Sequence, residues 1–221
     1  MRVLSKIALI VITVLLPISI ICIADNGIYR VSDTYRYNFN DTQLVTQQGL
    51  SVDVYDVAHA YSGYLMGKQD KFHLTEKVGN NETELFSEEA SLTMENVKKL
   101  LDVMLILGAG GLLLAIASYV LLLRMRMKNE IRRWFRHSIV VFAALLAFNM
   151  MVQMMPAVRD VLLGRMYDFD FEKDELFIVI MRGSLLQQFA IFDSVLAGIL
   201  MAVSGYIHHM LTKPRKLFFK R

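Results

Sequence analysis

Histidine is the side chain best suited to proton transfer near neutral pH, and the sequence contains five. His59 has the most suggestive neighbours, because Tyr55 and Asp56 precede it by four and three residues and would lie on neighbouring turns of a helix. In that arrangement Asp56 could orient His59 as a general base. The alternative is a solvent-facing histidine on the flank of a helix. The other four lie in a polar connector or beside basic segments: His73, His137, His208 and His209.

A second candidate is Asp193, which interrupts a long apolar stretch where an ionisable group costs several kcal/mol. Counting along the stretches places Asp193 and Asn149 near the bilayer midplane, where they could meet. The pair predicts either a proton relay or polar substrate site, or a hydrogen bond that holds two helices together. Gln153, Gln187 and Gln188 lie closer to the outer side and predict a polar pocket that opens outward.

Other kinds of site are excluded by the motifs. The sequence has no His/Cys spacing typical of a metal site, no nucleophile elbow and no phosphate-binding glycine loop, so we expect no metal and no cofactor. The single cysteine, Cys22, cannot form an internal disulfide. The net charge of +3 is a sum of opposed local charges and does not indicate nucleic-acid binding.

The elements that must position these residues are membrane helices. Of the 221 residues 55% are hydrophobic and only 20% are charged, which is too apolar for an ordinary soluble domain. Crossing a hydrocarbon core of about 30 Å takes roughly 20 helical residues. Four stretches meet that length, and the third and fourth contain the polar candidates: residues 7–24, 103–123, 138–158 and 183–207.

Lysine and arginine flank these stretches unequally. Residues 124–136 hold six basic residues against one acidic, whereas residues 25–99 hold twelve acidic against seven basic. Because cytoplasmic segments are enriched in positive charge, both termini are predicted inside. The predicted organisation is a first span 1–24, an outer domain 25–102, a span 103–123, a cytoplasmic loop 124–137, a span 138–158, an outer loop 159–182, a span 183–207 and a cytoplasmic tail 208–221. Removal of the first span by cleavage after Ala24 is an alternative.

Within the outer domain, residues 25–46 mix aromatic and β-branched residues with polar ones and predict irregular or short extended structure. Apolar residues at helical spacing predict a helix over 51–67, capped by Ser51. Residues 72–84 form a polar connector, and a helix starting near Ser87 is predicted to run into the second span. The predicted fold is therefore an all-α membrane protein with four transmembrane helices and a small, mainly helical outer domain between helices 1 and 2. The GAGG run of residues 108–111 would let a neighbouring helix or a lipid chain approach closely.

Three stretches resemble a known family. They are GLSVDVYDVAHAYSGYL at residues 49–65, LFSEEASLTMENVKKL at 85–100 and MYDFDFEKDELF at 166–177. With the four-span organisation, they resemble the bacterial lipoprotein intramolecular transacylases, which move an acyl chain within the lipid-modified cysteine of a lipoprotein. The second stretch matches the family pattern L-F-T-E-R-E-L-S-H-M-x-D-V-K-x-L without gaps and is the most specific.

The resemblance implies a multi-pass protein of the bacterial plasma membrane whose acyl transfer depends on two histidines. Thr93 stands at the histidine position of the second stretch, and Asn96 stands at its following acidic position. The second family histidine, expected shortly before the third stretch, has no counterpart in residues 156–165. Threonine cannot accept a proton near neutral pH, so the family's chemistry does not transfer to Thr93.

Two functions follow from this pattern, with an unrelated four-span structural or transport protein as a third possibility. The first is a relative that binds a lipid, a lipoprotein or another membrane protein without the histidine chemistry. The second is a divergent acyltransferase whose candidates for chemistry are His59, Tyr55, Asp56 and Thr93. The candidate binding residues are Asn96, Gln153, Arg159, Tyr167, Asp170, Asp174, Arg182, Gln187, Asn149 and Asp193.

Overall fold

A computed structural model describes residues 2–43, 52–78, 81–163, 177, 180 and 184–213. In these residues the chain forms seven helices and one two-stranded hairpin. In chain order they are α1 (Arg2–Tyr29), α2 (Ser32–Asp41), α3 (Val54–Leu65), β1 (Thr75–Val78), β2 (Asn81–Glu84), α4 (Glu88–Arg124), α5 (Lys128–Met154), α6 (Pro156–Leu163) and α7 (Leu185–Thr212).

Four of the helices, α1, α4, α5 and α7, are long and apolar enough to cross a membrane. The predicted all-α class with four spans is therefore confirmed. Helix α4 continues from the outer domain into the membrane over 37 residues, and the Ser87 hydroxyl caps it by accepting a hydrogen bond from the Ala90 N–H at 3.1 Å. We call the end of the bundle that carries α2, α3 and the hairpin the domain end, and the opposite end, with the α4–α5 loop, the basic end.

Helix α1 is the centre of the bundle. It packs against α4, α5 and α7, and more than half of its span is buried, against about a fifth for each of the others. The GAGG run supplies the contact with α4, as close helix packing requires. A Cβ added at Gly108 would lie 3.1 Å from Cys22 Cβ, and one at Gly111 would overlap the Ser19 hydroxyl. The two glycines therefore favour this close approach of α1 and α4, because a side chain at either position would require its neighbours to shift.

The outer domain is built around one aromatic core between α2, α3, the start of α4 and the start of α7. Tyr61 lies near its centre, with ring centroids 4.9 Å from Phe72 and 5.6 Å from Phe86. Phe189 of α7 adds contacts to Tyr29 and Tyr35 at 4.3 and 5.2 Å. The core thereby joins the domain to the membrane helices. Its fully buried members include Tyr35, Phe39, Val57, Ala58, Tyr61, Leu65, Met94, Phe177, Leu185 and Phe189.

The prediction of irregular structure over residues 25–46 is wrong for its described part. Helix α1 continues to Tyr29, and α2 follows after a break at Arg30 and Val31. The reason is amphipathic periodicity, since Tyr35 and Phe39, four residues apart, are both buried on one face of α2. The tyrosines favoured the strand interpretation by composition, but their spacing is helical.

Two other boundaries differ from prediction. The helix expected over 51–67 runs from Val54 to Leu65, and its cap is Asp53, whose carboxylate accepts a hydrogen bond from the Tyr55 N–H at 3.0 Å. Ser51 lies outside the described residues. The polar connector contains a β-hairpin in which Thr75 pairs with Glu84.

The third apolar stretch is also not one helix. Helix α5 ends at Met154, Met155 is extended with φ −104° and ψ 105°, and α6 begins at Pro156. A proline disfavours helical geometry in the residue before it, so the chain bends at Met155. Residues 156–158, predicted inside the membrane span, belong instead to the short α6.

Candidate functional site

A cluster of buried polar side chains lies between α1, α5 and α7. Asp193 of α7 is 1% exposed and meets Asn149 of α5, whose Nδ2 donates to Asp193 Oδ2 at 3.3 Å. The same nitrogen donates to Oδ1 of Asp25 on α1 at 3.1 Å. Gln153, one turn beyond Asn149, donates from Nε2 to the same Asp193 oxygen. Three membrane helices are thus joined by one hydrogen-bonded group.

Asp25 was missed as a member of this cluster. The apolar stretch stops at Ala24, so the acid was assigned to the outer domain, whereas α1 continues and buries Asp25 to 4% exposure. The signal that could have found it is a carboxylate one residue beyond an apolar run, at a depth comparable with Asn149 and Asp193.

The cluster lies nearer the domain end than the predicted midplane. Asp25 is four residues from the end of α1 and Asn149 is five from the end of α5, which is about 6 to 8 Å along each helix. Asn149 is eleven residues from the inner end of the predicted span 138–158 and so near its centre, but α5 ends at Met154.

The three glutamines predicted to line an outward polar pocket make different contacts. Gln153 accepts a hydrogen bond from the Tyr29 hydroxyl at 3.5 Å and so connects the cluster to the aromatic core. Gln187 is exposed. Gln188 instead donates to the Thr34 carbonyl at 3.2 Å and holds α7 to α2.

Thr93, at the position where the resemblance places a histidine, is inside the protein. Its side chain is fully buried on the face of α4 that carries Ala90, Met94 and Val97 into the aromatic core. Among the described residues, its hydroxyl has no hydrogen-bond partner. A threonine hydroxyl cannot accept a proton near neutral pH, and it needs an adjacent base to act as a nucleophile; no described side chain is hydrogen-bonded to it.

His59 does not form a base–carboxylate pair. Its half-buried ring makes an edge contact with the exposed Tyr55 ring, at 4.2 Å between centroids. Asp56 is exposed, and within the described residues it makes no hydrogen bond to His59. The other domain histidine, His73, is exposed and lies 3.2 Å from the Lys71 carbonyl through Nδ1.

Tyrosine cannot replace histidine as a base in the core. Burial raises the pKa of Tyr35 well above its ordinary value, so the phenol stays protonated and donates to the Tyr29 carbonyl at 2.7 Å. Burial, followed by the Glu95 carboxylate, likewise raises the pKa of Tyr64. Both tyrosines therefore stay protonated near neutral pH.

Of the remaining candidate residues, two lie on described helices. Asn96 is half-buried on α4, and Arg159 belongs to α6. Tyr167, Asp170, Asp174 and Arg182 lie outside the described residues. No group of three metal-ligating side chains occurs in the described part of the chain.

Four membrane-spanning helices, a helical domain with an aromatic core and a buried polar cluster below it define a class of small polytopic membrane proteins. The family model for the lipoprotein intramolecular transacylase Lit matches residues 8–158, more than half of the chain. The protein belongs to this family, and the resemblance read from the sequence is confirmed.

Solved structures support the fold. The chain is similar to the membrane-integral lipoprotein intramolecular transacylase Lit from Bacillus cereus, with a TM-score of 0.69 at 12% identity over 96% of this chain and 98% of that one. A variant of the same protein with a histidine-to-arginine mutation gives a TM-score of 0.70 at 13% identity, over 95% and 92% of the two chains. No curated protein matches the chain. At this identity the likeness establishes the architecture.

Proposed function

We propose that this protein binds the acyl chains of a lipid or a lipoprotein at the domain end, without the histidine-assisted acyl transfer that the family name describes. The charge distribution orients that end toward the outside of a bacterial plasma membrane, with both termini in the cytoplasm. The observation that carries the proposal is the full burial of Thr93, in the place of a histidine, with a hydroxyl that has no hydrogen-bond partner among the described residues.

An apolar surface at the domain end supports the binding part of the proposal. Val161 and Leu162 of α6 are exposed, Val161 to 84%, and Met151, Met154 and Met155 continue this surface along α5. Flexible methionine side chains adapt to irregular apolar ligands such as acyl chains. The extended Met155 turns α6 away from the axis of α5, and in the proposal an acyl chain from the adjacent leaflet reaches this surface.

Polar residues complete the proposed binding site. In the proposal they contact the ester, headgroup or peptide part of the ligand, while Asn149 and Asp193 hold the helices beneath it. The residues proposed for these contacts are Asn96, Gln153, Arg159, Tyr167, Asp170, Asp174, Arg182 and Gln187.

Binding is tested with the full chain in vesicles containing a photoreactive diacyl lipopeptide. The double variant Val161→Ser/Leu162→Ser is expected to lower cross-linking at least fivefold. Val140→Ser, a similarly lipid-facing valine nearer the basic end, is the matched control and is expected to leave it unchanged. Equal cross-linking by all three proteins contradicts the proposed surface.

Catalysis is tested by mass spectrometry of lipoproteins from cells with and without this protein and with no other transacylase. We expect no acyl group to move from the glycerol to the cysteine amine. Transfer by the wild-type chain would overturn the non-catalytic proposal.

Family membership favours a second candidate, a divergent transacylase that uses His59. Its ring is half-buried and held by Tyr55, so it could move into a neighbouring site without leaving α3. If transfer is seen, loss of activity in His59→Ala supports this candidate, and unchanged activity refutes it.

A further inference from the structure

We propose that the groove between α4 and α7 at the basic end binds one acyl chain of an anionic phospholipid, with the lipid phosphate held by arginine and lysine side chains at the groove mouth. The site is distinct from the domain-end surface and does not depend on the proposed function.

The groove exists because α1 separates two of its neighbours. Helices α4 and α7, both fully described, each pack against α1 and meet each other at the Tyr119–His208 contact rather than along their lengths. The resulting cavity of about 390 Å³ has Ile12 and Leu16 of α1 as its floor, with Ile116 of α4 and Ile207 of α7 on its walls. That volume is within the range of about 300 to 1,000 Å³ typical of small-ligand pockets.

The residues that line the groove favour a hydrocarbon ligand. Its polar side chains are already hydrogen-bonded, since the Tyr119 hydroxyl lies 2.7 Å from His208 Nδ1 and the Ser204 hydroxyl donates to the Leu200 carbonyl at 2.9 Å. Phe135 stacks on the His208 ring at 4.1 Å between centroids and fixes its orientation. A ligand in the groove therefore meets an apolar surface without free polar groups, which a polar solute would not favour.

The length of the groove matches one leaflet. Its α4 wall extends from Leu112 to Leu123, twelve residues that span about 16 Å of helix. Half of a hydrocarbon core of about 30 Å is about 15 Å. The groove therefore accommodates a single chain that enters from the membrane surface at the basic end and stops near the bilayer centre.

The mouth of the groove is cationic. Arg124 is exposed directly after Leu123, and Lys213 is exposed directly after the end of α7. Arg132 of α5 donates to the Thr212 carbonyl and so holds a third cation at the same end. A phosphate accepts charge-assisted hydrogen bonds from such side chains, and basic segments beside membrane helices attract anionic lipids. By the charge rule, this is the cytoplasmic leaflet.

The test uses the full chain in phosphatidylcholine vesicles containing phosphatidylglycerol with a photoreactive group on one acyl chain. Adducts are mapped by mass spectrometry, and we expect them to concentrate on residues 112–123 and 204–211. Ile207→Trp fills the groove and is expected to reduce labelling at least fivefold. Ile199→Trp, on the same helix and similarly exposed (55% against 51%), lies outside the groove and should leave labelling within twofold. Should Ile207→Trp fail to fold, Val120→Trp fills the groove from the opposite wall.

Four outcomes overturn the proposal. Even labelling of all lipid-facing positions, or equal effects of the two tryptophan variants, would show that the groove is ordinary lipid-exposed surface. Equal competition by excess unlabelled phosphatidylcholine and phosphatidylglycerol would refute the anionic headgroup. Disulfide-linked dimers of Ile207→Cys in a Cys22→Ser background, without lipid adducts, would show that a second copy occupies the groove.

Discussion

Asp25 of α1 and Asp193 of α7 accept hydrogen bonds from the same nitrogen atom, Nδ2 of Asn149, at 3.1 and 3.3 Å. One amide on α5 therefore satisfies a carboxyl group on each of two other helices. In a bilayer, where helices gain little from apolar burial against each other, such contacts contribute to the association of the bundle.

This arrangement predicts an energetic coupling between Asn149 and Asp193. Asn149→Leu and Asp193→Leu should each lower the free energy of unfolding, by about 1 to 3 kcal/mol, because each leaves buried polar partners unsatisfied. The double variant should lose less than the sum, with a coupling of about 0.6 and at most about 1.7 kcal/mol. Titration with a denaturing detergent in mixed micelles measures the free energy of unfolding of the two single variants and the double variant. The control combines Asn149→Leu with Ser204→Ala, which lies nearer the basic end, and the losses in free energy of unfolding should add in this pair. Additive losses for Asn149→Leu and Asp193→Leu would contradict their shared contact.

Gly111 predicts a second, sharply local effect. In Gly111→Ala the new methyl group would overlap the Ser19 hydroxyl, so the free energy of unfolding should fall by about 1 to 3 kcal/mol. Gly110→Ala is the matched control, because no atom lies within 4 Å of its added Cβ. Adding Ser19→Gly to Gly111→Ala should restore stability. The same unfolding assay measures the stability of each variant. Equal stability of the two alanine variants would show that α1 and α4 do not meet at Gly111.

Phe189 is expected to hold the outer domain to the bundle. Phe189→Ala removes a buried ring that contacts Tyr29 and Tyr35, which should cost about 3 to 5 kcal/mol. Hydrogen exchange should accelerate in α2 and α3 before it does in α5. Phe192→Ala, a half-buried neighbour on the same helix, should have a smaller effect on both measurements. Equal exchange rates in the two variants would rule out this role for Phe189.

Thr93 predicts opposite effects for two substitutions. Thr93→Val keeps the shape and removes a buried hydroxyl that has no partner in the described residues, so stability should be unchanged or higher. Thr93→His overfills the same position and should cost about 1 to 3 kcal/mol. It should give no acyl transfer, because no second histidine is placed to assist it: His59 contacts the Tyr55 ring and His73 lies beside the Lys71 carbonyl. Thermal melting and lipoprotein mass spectrometry check the two parts; transfer by Thr93→His would mean that one histidine suffices.

The spans and the start of α4 could be predicted because their causes are local. Hydropathy over about 20 residues defines a membrane helix, and Ser87 before acidic residues defines a helix start. The bend at Met155 was also visible in principle, since Pro156 follows it. Length favoured one span through Val158, and the restriction that proline places on the preceding residue decided otherwise.

Asp25 and the hairpin could not be assigned in this way, because their causes are contacts between distant segments. Hydropathy treats an acid as the end of a span, but Asn149, 124 residues away, supplies the hydrogen bond that lets α1 continue. Likewise the Thr75–Glu84 pairing depends on the aromatic core that holds Phe72 and Phe86 together, with ring centroids 4.5 Å apart.

The central position of α1 has a consequence for biogenesis. Of the four spans, α1 is translated before the three that enclose it. Its polar face, with Asp25, is therefore exposed to the bilayer until α5 and α7 are inserted. A ribosome that stalls before α7 leaves Asp193 unsynthesised and one side of α1 open to lipid. Quality-control proteases that recognise unpaired polar groups in membrane helices would therefore recognise an incomplete chain by the uncovered polar face of its first span.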